Sequence, residues 1–219
     1  MSWKKEKFIK DISVTNANLE EYFKLIKKDE KFRKFVLEQL FNNDVINIYY
    51  HSYLLIEKSS SENPDYYYQY WKEFTNLLTH LNSYHRNYAV NIIGNIICVD
   101  KNNYFDAVFE KFYNLLNDEK ITTRKYCIAN SVKIINSDNS YTEKIISKII
   151  DSLRLNSNTE KQQNFLISEF LTLLNKIDFK LIKSEEVIEF LEEIKKSKCS
   201  SKNFKIIKNI LSKSYNTYN

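Results

Sequence analysis

Glycine and proline are nearly missing from this chain: among 219 residues there is one of each, Gly94 and Pro64. Tight hairpins and sheet turns need residues that tolerate positive φ, so this lack excludes an all-β or α/β design and points to an all-α one. It also removes phosphate-cradling loops, since a single glycine makes neither a Walker loop nor a dinucleotide fingerprint. Cysteine is scarce too. Cys98, Cys127 and Cys199 are odd in number, far apart and in no C-x-x-C spacing, which argues against disulfide and zinc frameworks and for reduced thiols. Of the three histidines, His51, His80 and His85, only the last two stand close in sequence, and no H-E-x-x-H occurs. No metal and no cofactor is expected. The first residues, MSWKKEKFIKDI, lack the apolar run of a signal peptide, and no stretch approaches about 18 uninterrupted apolar residues. A soluble cytoplasmic protein without membrane contact is the expectation.

What is present is ordinary in amount and unusual in arrangement. The chain is 43% hydrophobic and 28% charged, which fits neither a disordered nor a membrane class. Asn, Lys, Ile and Tyr abound throughout, as an A+T-rich genome would encode. Formal net charge is +5, but residues 195–219 carry seven lysines and no acid, and residues 1–34 carry a surplus of four. The body between is therefore acidic. A protein that wraps nucleic acid along its body more often shows the reverse.

Residues Leu77 to Ile96 read LLTHLNSYHRNYAVNIIGNI, and Leu115 to Ile134 read LLNDEKITTRKYCIANSVKI. Leu77 and Leu78 align with Leu115 and Leu116, Arg86 with Arg124, Ala89 with Cys127, and Ile96 with Ile134. The offset is 38 throughout. A period of that size on helical patterns means stacked two-helix units, none of which can bury its apolar face alone.

Taken in order, residues 3–12 predict a short amphipathic helix. A helix capped by Asn16 or Asn18 follows, then one opened by Asp29 and one capped by Asn43 or Asp44. Ser59 to Pro64 is the clearest loop signal, with Pro64 as a helix N1 residue. Helices are then expected over 65–79, 83–98, 103–116, 119–135, 141–154, 160–175, 184–196 and about 201–213. Tyr67, Tyr70, Trp71 and Phe74 belong to the core, leaving Tyr66 and Tyr68 to face elsewhere, onto the neighbouring repeat. The whole chain, 1–219, reads as one domain: an atypical N-terminal cap and repeat over 1–62, the clearest repeats over 63–178, and a capping helix pair over 184–214.

These residues resemble HEAT repeats. The second helix of that repeat commonly reads Val-Arg-x-x-Ala with a run ending in Leu-Gly-x-Ile, after Leu-Leu-x-Asp. Arg86, Ala89, Ile93, Gly94 and Ile96 fit it in one unit. Leu115, Leu116, Asp118, Arg124, Cys127, Ser131, Val132 and Ile134 fit it in the next. His80 stands where Asp is expected, and Gln162 where Arg is. The resemblance implies a right-handed α-α superhelix, HEAT- or armadillo-like, of about five antiparallel helix pairs, with the second helices lining its concave face. It implies that Arg86, Gly94, Asp118 and Arg124 are structural, the Arg bonding an Asp or carbonyl in its own or a neighbouring turn. It also implies scaffolding and protein binding more than catalysis.

Two surfaces are candidates. Tyr49, Asn87, Lys125 and Gln163 stand 38 apart, and Asn87, Asn91 and Asn95 run at i, i+4 spacing along one helix. On concave helices these side chains would point into the groove as a polar partner-binding surface; the plainer alternative is an ordinary solvated face. The second surface is the Lys-rich last helix, where Lys202, Lys205 and Lys208 would give nucleic acid a salt-dependent hold. HEAT-like alkylpurine DNA glycosylases place Trp and Asp on concave helices in a basic groove. Here Trp3 lies in the cap, Trp71 on a first helix, and the body is acidic, so that enzyme reading trails and no catalytic residue is assigned.

Overall fold

The computed structural model describes residues 3–155, 158–177, 185–197 and 199–215. Among them are thirteen α-helices and no strand: α1 (Lys5–Ile12), α2 (Glu20–Lys28), α3 (Glu30–Asn42), α4 (Ile46–Glu62), α5 (Asp65–Tyr68), α6 (Trp71–Leu77), α7 (Ser83–Ile96), α8 (Tyr104–Tyr113), α9 (Ile121–Ser137), α10 (Thr142–Leu155), α11 (Glu160–Leu174), α12 (Glu185–Lys196) and α13 (Ser201–Tyr215). Lys198 and the side chain of Lys213, part of the basic C-terminal run, lie outside the described residues.

The helices pair as α3/α4, α5–α6/α7, α8/α9, α10/α11 and α12/α13. The second members α4, α7, α9, α11 and α13 pack side by side in that order and make one layer, against which the first members lie. Helices α1 and α2 close the N-terminal end by packing on α4, with α2 also on α3. This is an α-α solenoid of five helix pairs behind a two-helix cap. Its apolar side chains form one continuous core from Phe8 to Leu211. Aromatic rings fill the widest parts: Phe8 meets Tyr22 and Phe32 edge-on in the cap, and Phe105 meets Phe109 and Phe112 edge-on along α8.

Short polar side chains cap three of the described α-helices. Asp29 accepts from Phe32 N (3.0 Å), Asn82 accepts from Tyr84 N (3.0 Å), and Thr159 forms a full capping box with Gln162. Gln162, at the repeat's Arg position, is therefore a capping residue. Asn103 before α8 is the one described non-glycine residue at positive φ (53°), a conformation Asn tolerates. At two other starts the cap is one residue later than expected. Leu19 and Val45 occupy it, while Asn18 and Asn43 accept from the N–H of Glu20 and Val45.

Three expectations are corrected. Ser59 to Glu62 are not loop but the last turn of α4. Ser60 and Ser61 satisfy their hydroxyls on the carbonyls three residues back, and Ser59 and Ser60 are buried. Their small size lets α7 approach. Pro64 is the residue before α5, not its first, and the helix expected over 65–79 is broken at Gln69 and Tyr70 into α5 and α6. Two further helices tighten into 3₁₀ turns at their ends, at Ile97–Val99 and Asn114–Asn117. Tyr67, Trp71 and Phe74 are core as expected, and Tyr70 is half-buried. Tyr68 reaches the next repeat, its hydroxyl donating to Asp100 Oδ1 (2.7 Å).

Candidate functional site

The face of the second-helix layer that α1, α2 and the first helices leave uncovered is where the polar column lies. The structure brings its members together but buries the older half. Tyr49, Asn87, Asn91 and Asn95 are all buried, while Lys125 and Gln163 are half-exposed. The Asn row, expected to point into the groove as a partner-binding surface or else to be an ordinary solvated face, is instead buried: α7 is wedged so closely between α4 and α9 that Asn91 and Asn95 are spent on its neighbours. Asn91 Nδ2 donates to Tyr53 OH (2.7 Å), and Asn91 Oδ1 accepts from Asn130 Nδ2 (2.7 Å). Asn95 Nδ2 donates to Glu57 O (3.0 Å) and Ser60 Oγ (2.9 Å), and its Oδ1 accepts from Lys133 Nζ (2.7 Å). Each link joins residues about one repeat apart. On α7, the buried atoms Asn87 Oδ1 and His85 Nδ1 stay without a protein partner.

Gly94 explains how α7 and α9 come so close. A Cβ there would stand 2.7 Å from Asn130 Oδ1 and 3.2 Å from Asn130 Cβ. The sole glycine is needed for that close approach, not for a turn. Arg86 and Asp118 form the second inter-repeat lock. Arg86 Nε and Nη2 donate to the two carboxylate oxygens of Asp118 (2.6 and 2.9 Å), and Nη1 donates to the carbonyls of His80 (2.7 Å) and Leu81 (2.9 Å). Arg124 repeats the pattern one unit on, donating from Nε to the Asp118 carbonyl and from Nη1 to Asn158 Oδ1 (2.8 Å). Asp118 thus pairs with the Arg of the preceding unit, while Arg124 takes its backbone.

Charge on the face is adjusted by burial. Desolvation lowers the Lys133 ammonium pKa, opposed by Glu57. His85, packed against Tyr49 (ring centroids 4.7 Å) and His80 (4.4 Å), is brought down to about 4, first by desolvation and then by His80, with Asp44 opposing. Among the described residues no three His, Cys, Asp or Glu side chains stand close enough to share a metal, and no helix is long and apolar enough to cross a membrane. Lys202, Lys205 and Lys208 are exposed on α13.

Sequence reasoning missed the rings. Tyr50, Tyr88 and Tyr126 also stand 38 apart, one residue beyond Tyr49, Asn87 and Lys125. Tyr88 is buried and stacked on Tyr53 (3.9 Å, 11°), Tyr126 is half-buried, and Tyr50 is open. Tyr84 and Phe165 join them on the same face, Tyr84 beside Tyr88 (6.5 Å), and Lys125 Nζ lies 5.4 Å from the Phe165 ring centre. The period alone would have exposed this column; abundant tyrosine elsewhere hid it.

No protein-family model matches the sequence, and no curated protein matches it. Solved structures do. A designed armadillo repeat protein is similar over 96% of this chain and 100% of its own, with a TM-score of 0.55 and 14% identity. An engineered protein from a structural genomics consortium is similar over 96% of both chains, with a TM-score of 0.52 and 14% identity. At that identity the likeness shows the fold: an armadillo-like helical solenoid.

Proposed function

We propose that this chain is a non-catalytic, cytoplasmic scaffold that binds a protein partner along the second-helix face, the concave one in superhelices of this fold. One observation carries the reading. Large rings stay open there, Tyr84 at 57%, Tyr50 at 41% and Phe165 at 40% exposure, although the rest of α7 is packed to closure. Exposed aromatics backed by a closely packed layer are the usual make-up of interface hot spots. In this reading Lys125 and Gln163 touch the partner, while Tyr49, Asn87, Asn91 and Asn95 support the surface from beneath. The test is capture from the native host by the tagged chain, with and without nuclease, for the natural sequence and for Tyr50→Ala/Tyr84→Ala. A protein that survives nuclease and is lost with the double variant is the expected result. Equal capture by the variant would sink the reading.

A second reading has its own observation. Lys202, Lys205 and Lys208 are exposed, and none forms an ion pair among the described residues. They suit nucleic-acid phosphates. Changing all three to Glu should then abolish a steeply salt-dependent affinity for RNA or DNA; an unchanged affinity removes this reading.

A further inference from the structure

The open rings are spaced in a way that suggests what they receive. The column runs over four successive second helices: open Tyr50 on α4, open Tyr84 beside buried Tyr88 on α7, half-buried Tyr126 on α9 and open Phe165 on α11. Packed helices lie about 8–10 Å apart, so one ring or ring pair recurs at that interval along the face. A polyproline II chain rises about 3.1 Å per residue with three residues per turn, so it too repeats every 9 Å or so. Its backbone carbonyls are free, and it is recognised by aromatic-lined grooves with little ordering cost. Exposed tyrosine hydroxyls, at Tyr50 and Tyr84, can donate to such carbonyls.

Two further observations narrow the occupant. Asn91 and Asn95 already have protein partners on both polar atoms, so the face offers no ladder of free amides to pair with a β-extended backbone. The charges also lie unevenly. Along α9, α11 and the turn after α11, Lys125, Lys133, Lys161 and Lys176 accompany the rings against two acids, Glu160 and Glu169, the latter 3.8 Å from Lys125. That half of the face complements negative charge.

We propose that the tyrosine column receives a proline-rich segment of the partner in polyproline II conformation, with an acidic flank over the lysines of α9 and α11. This rests on the protein-binding reading of the same face. The test uses fluorescence polarisation with the full chain and a labelled peptide of about fifteen residues, proline at two of every three positions in its body and glutamates at one end. Saturable binding is expected, weakened at least about tenfold when the prolines become alanine at unchanged charge, and again when the chain carries Tyr50→Ala/Tyr126→Ala. Replacing the glutamates by lysine should weaken it several-fold. Tyr84→Ala, a change at an open position, guards against a variant that fails to fold, and should also weaken binding. Equal affinity for the alanine peptide, or no saturable binding of the proline peptide, overturns the proposal. If the host partner is nevertheless lost with Tyr50→Ala/Tyr84→Ala, the protein-binding reading stands and only the polyproline one falls.

Discussion

The seams between repeats are not built alike. Between α4, α7 and α9 the repeats are joined by buried polar bonds: Arg86 to Asp118, Asn130 to Asn91, Asn91 to Tyr53, Asn95 to Ser60. Between the fourth and fifth pairs the links are more open. Arg154 meets Glu193 at 35% and 53% side-chain exposure and Ser200 N donates to Asn164 Oδ1 at the surface, while one buried side chain, Asn203, donates from Nδ2 to the Asn164 carbonyl. A buried polar bond costs much to break from one side, because the abandoned partner cannot return to water. An exposed one costs little. The middle seams therefore fix register, while the last seam rests mainly on apolar burial by Phe190, Leu191, Ile207 and Leu211.

The largest expected effect follows from that contrast. Arg86→Ala strands the Asp118 carboxylate, whose side chain is 5% exposed, and two turn carbonyls. A loss of about 3–5 kcal/mol is expected from urea unfolding. If the loss were no greater than that of an exposed ion pair, the distinction between seams would be gone.

Acid should attack the middle seam next. The folded pKa of His85 is lowered from 6.5 to about 4, mainly by desolvation beside Tyr49, Tyr88 and His80. Unfolded His85 takes up its proton first as pH falls. Its contribution is therefore fully present above pH 6.5, shrinks through the window down to about 4, and is gone below it. The change is on the order of 3 kcal/mol. His85→Phe should flatten that part of the stability profile, measured between pH 7 and 4. A slope unchanged by the substitution would show that carboxylates, not His85, carry it.

Gly94→Ala comes third. It adds about 1 kcal/mol of helix propensity but forces Asn130 off its bonds to Asn91 Oδ1 and Tyr126 O. Overpacking of this kind costs about 1–3 kcal/mol, so a net loss of roughly 1 kcal/mol is expected. The sharper result is non-additivity: in an Asn130→Ala background the same change should be neutral or stabilising.

The fold was legible because the 38-residue period sits in apolar and motif positions that packing alone dictates: Leu77, Leu78, Arg86, Ala89 and Ile96 against their echoes. The Arg–Asp lock was legible in kind, though Asp118 turned out to serve the preceding repeat. The face was read less well. The stripe of Asn87, Asn91 and Asn95 is expected to be open, as a binding surface or a solvated face, because polar residues at i, i+4 usually are. Burial of that stripe depends on how closely α4 and α9 approach, which Gly94 and the serines of α4 decide from outside the helix pattern. Tyr50, Tyr88 and Tyr126 carried a clean periodic signal that composition masked. Ser59 to Glu62 read as loop because serine's capping habit is local, whereas a buried neighbour can hold it helical.

The smallest effect is the one that tests the comparison from its other side. Arg154 donates from Nε and Nη2 to Glu193 (3.1 and 2.6 Å), a bidentate geometry as good as that of Arg86 with Asp118. Both pairs bridge neighbouring repeats. If hydrogen-bond geometry set the energy, Arg154→Ala would rival Arg86→Ala. Solvent decides otherwise: Glu193, left alone, stays hydrated, and the lost attraction was already screened. A change under about 1 kcal/mol is expected, part of it from the guanidinium's contact with the Phe190 ring (5.3 Å). Added salt should shrink the difference between Arg154→Ala and the natural chain, yet leave the Arg86→Ala deficit nearly intact. Equal salt responses would mean that the two seams differ in sequence position and not in physics.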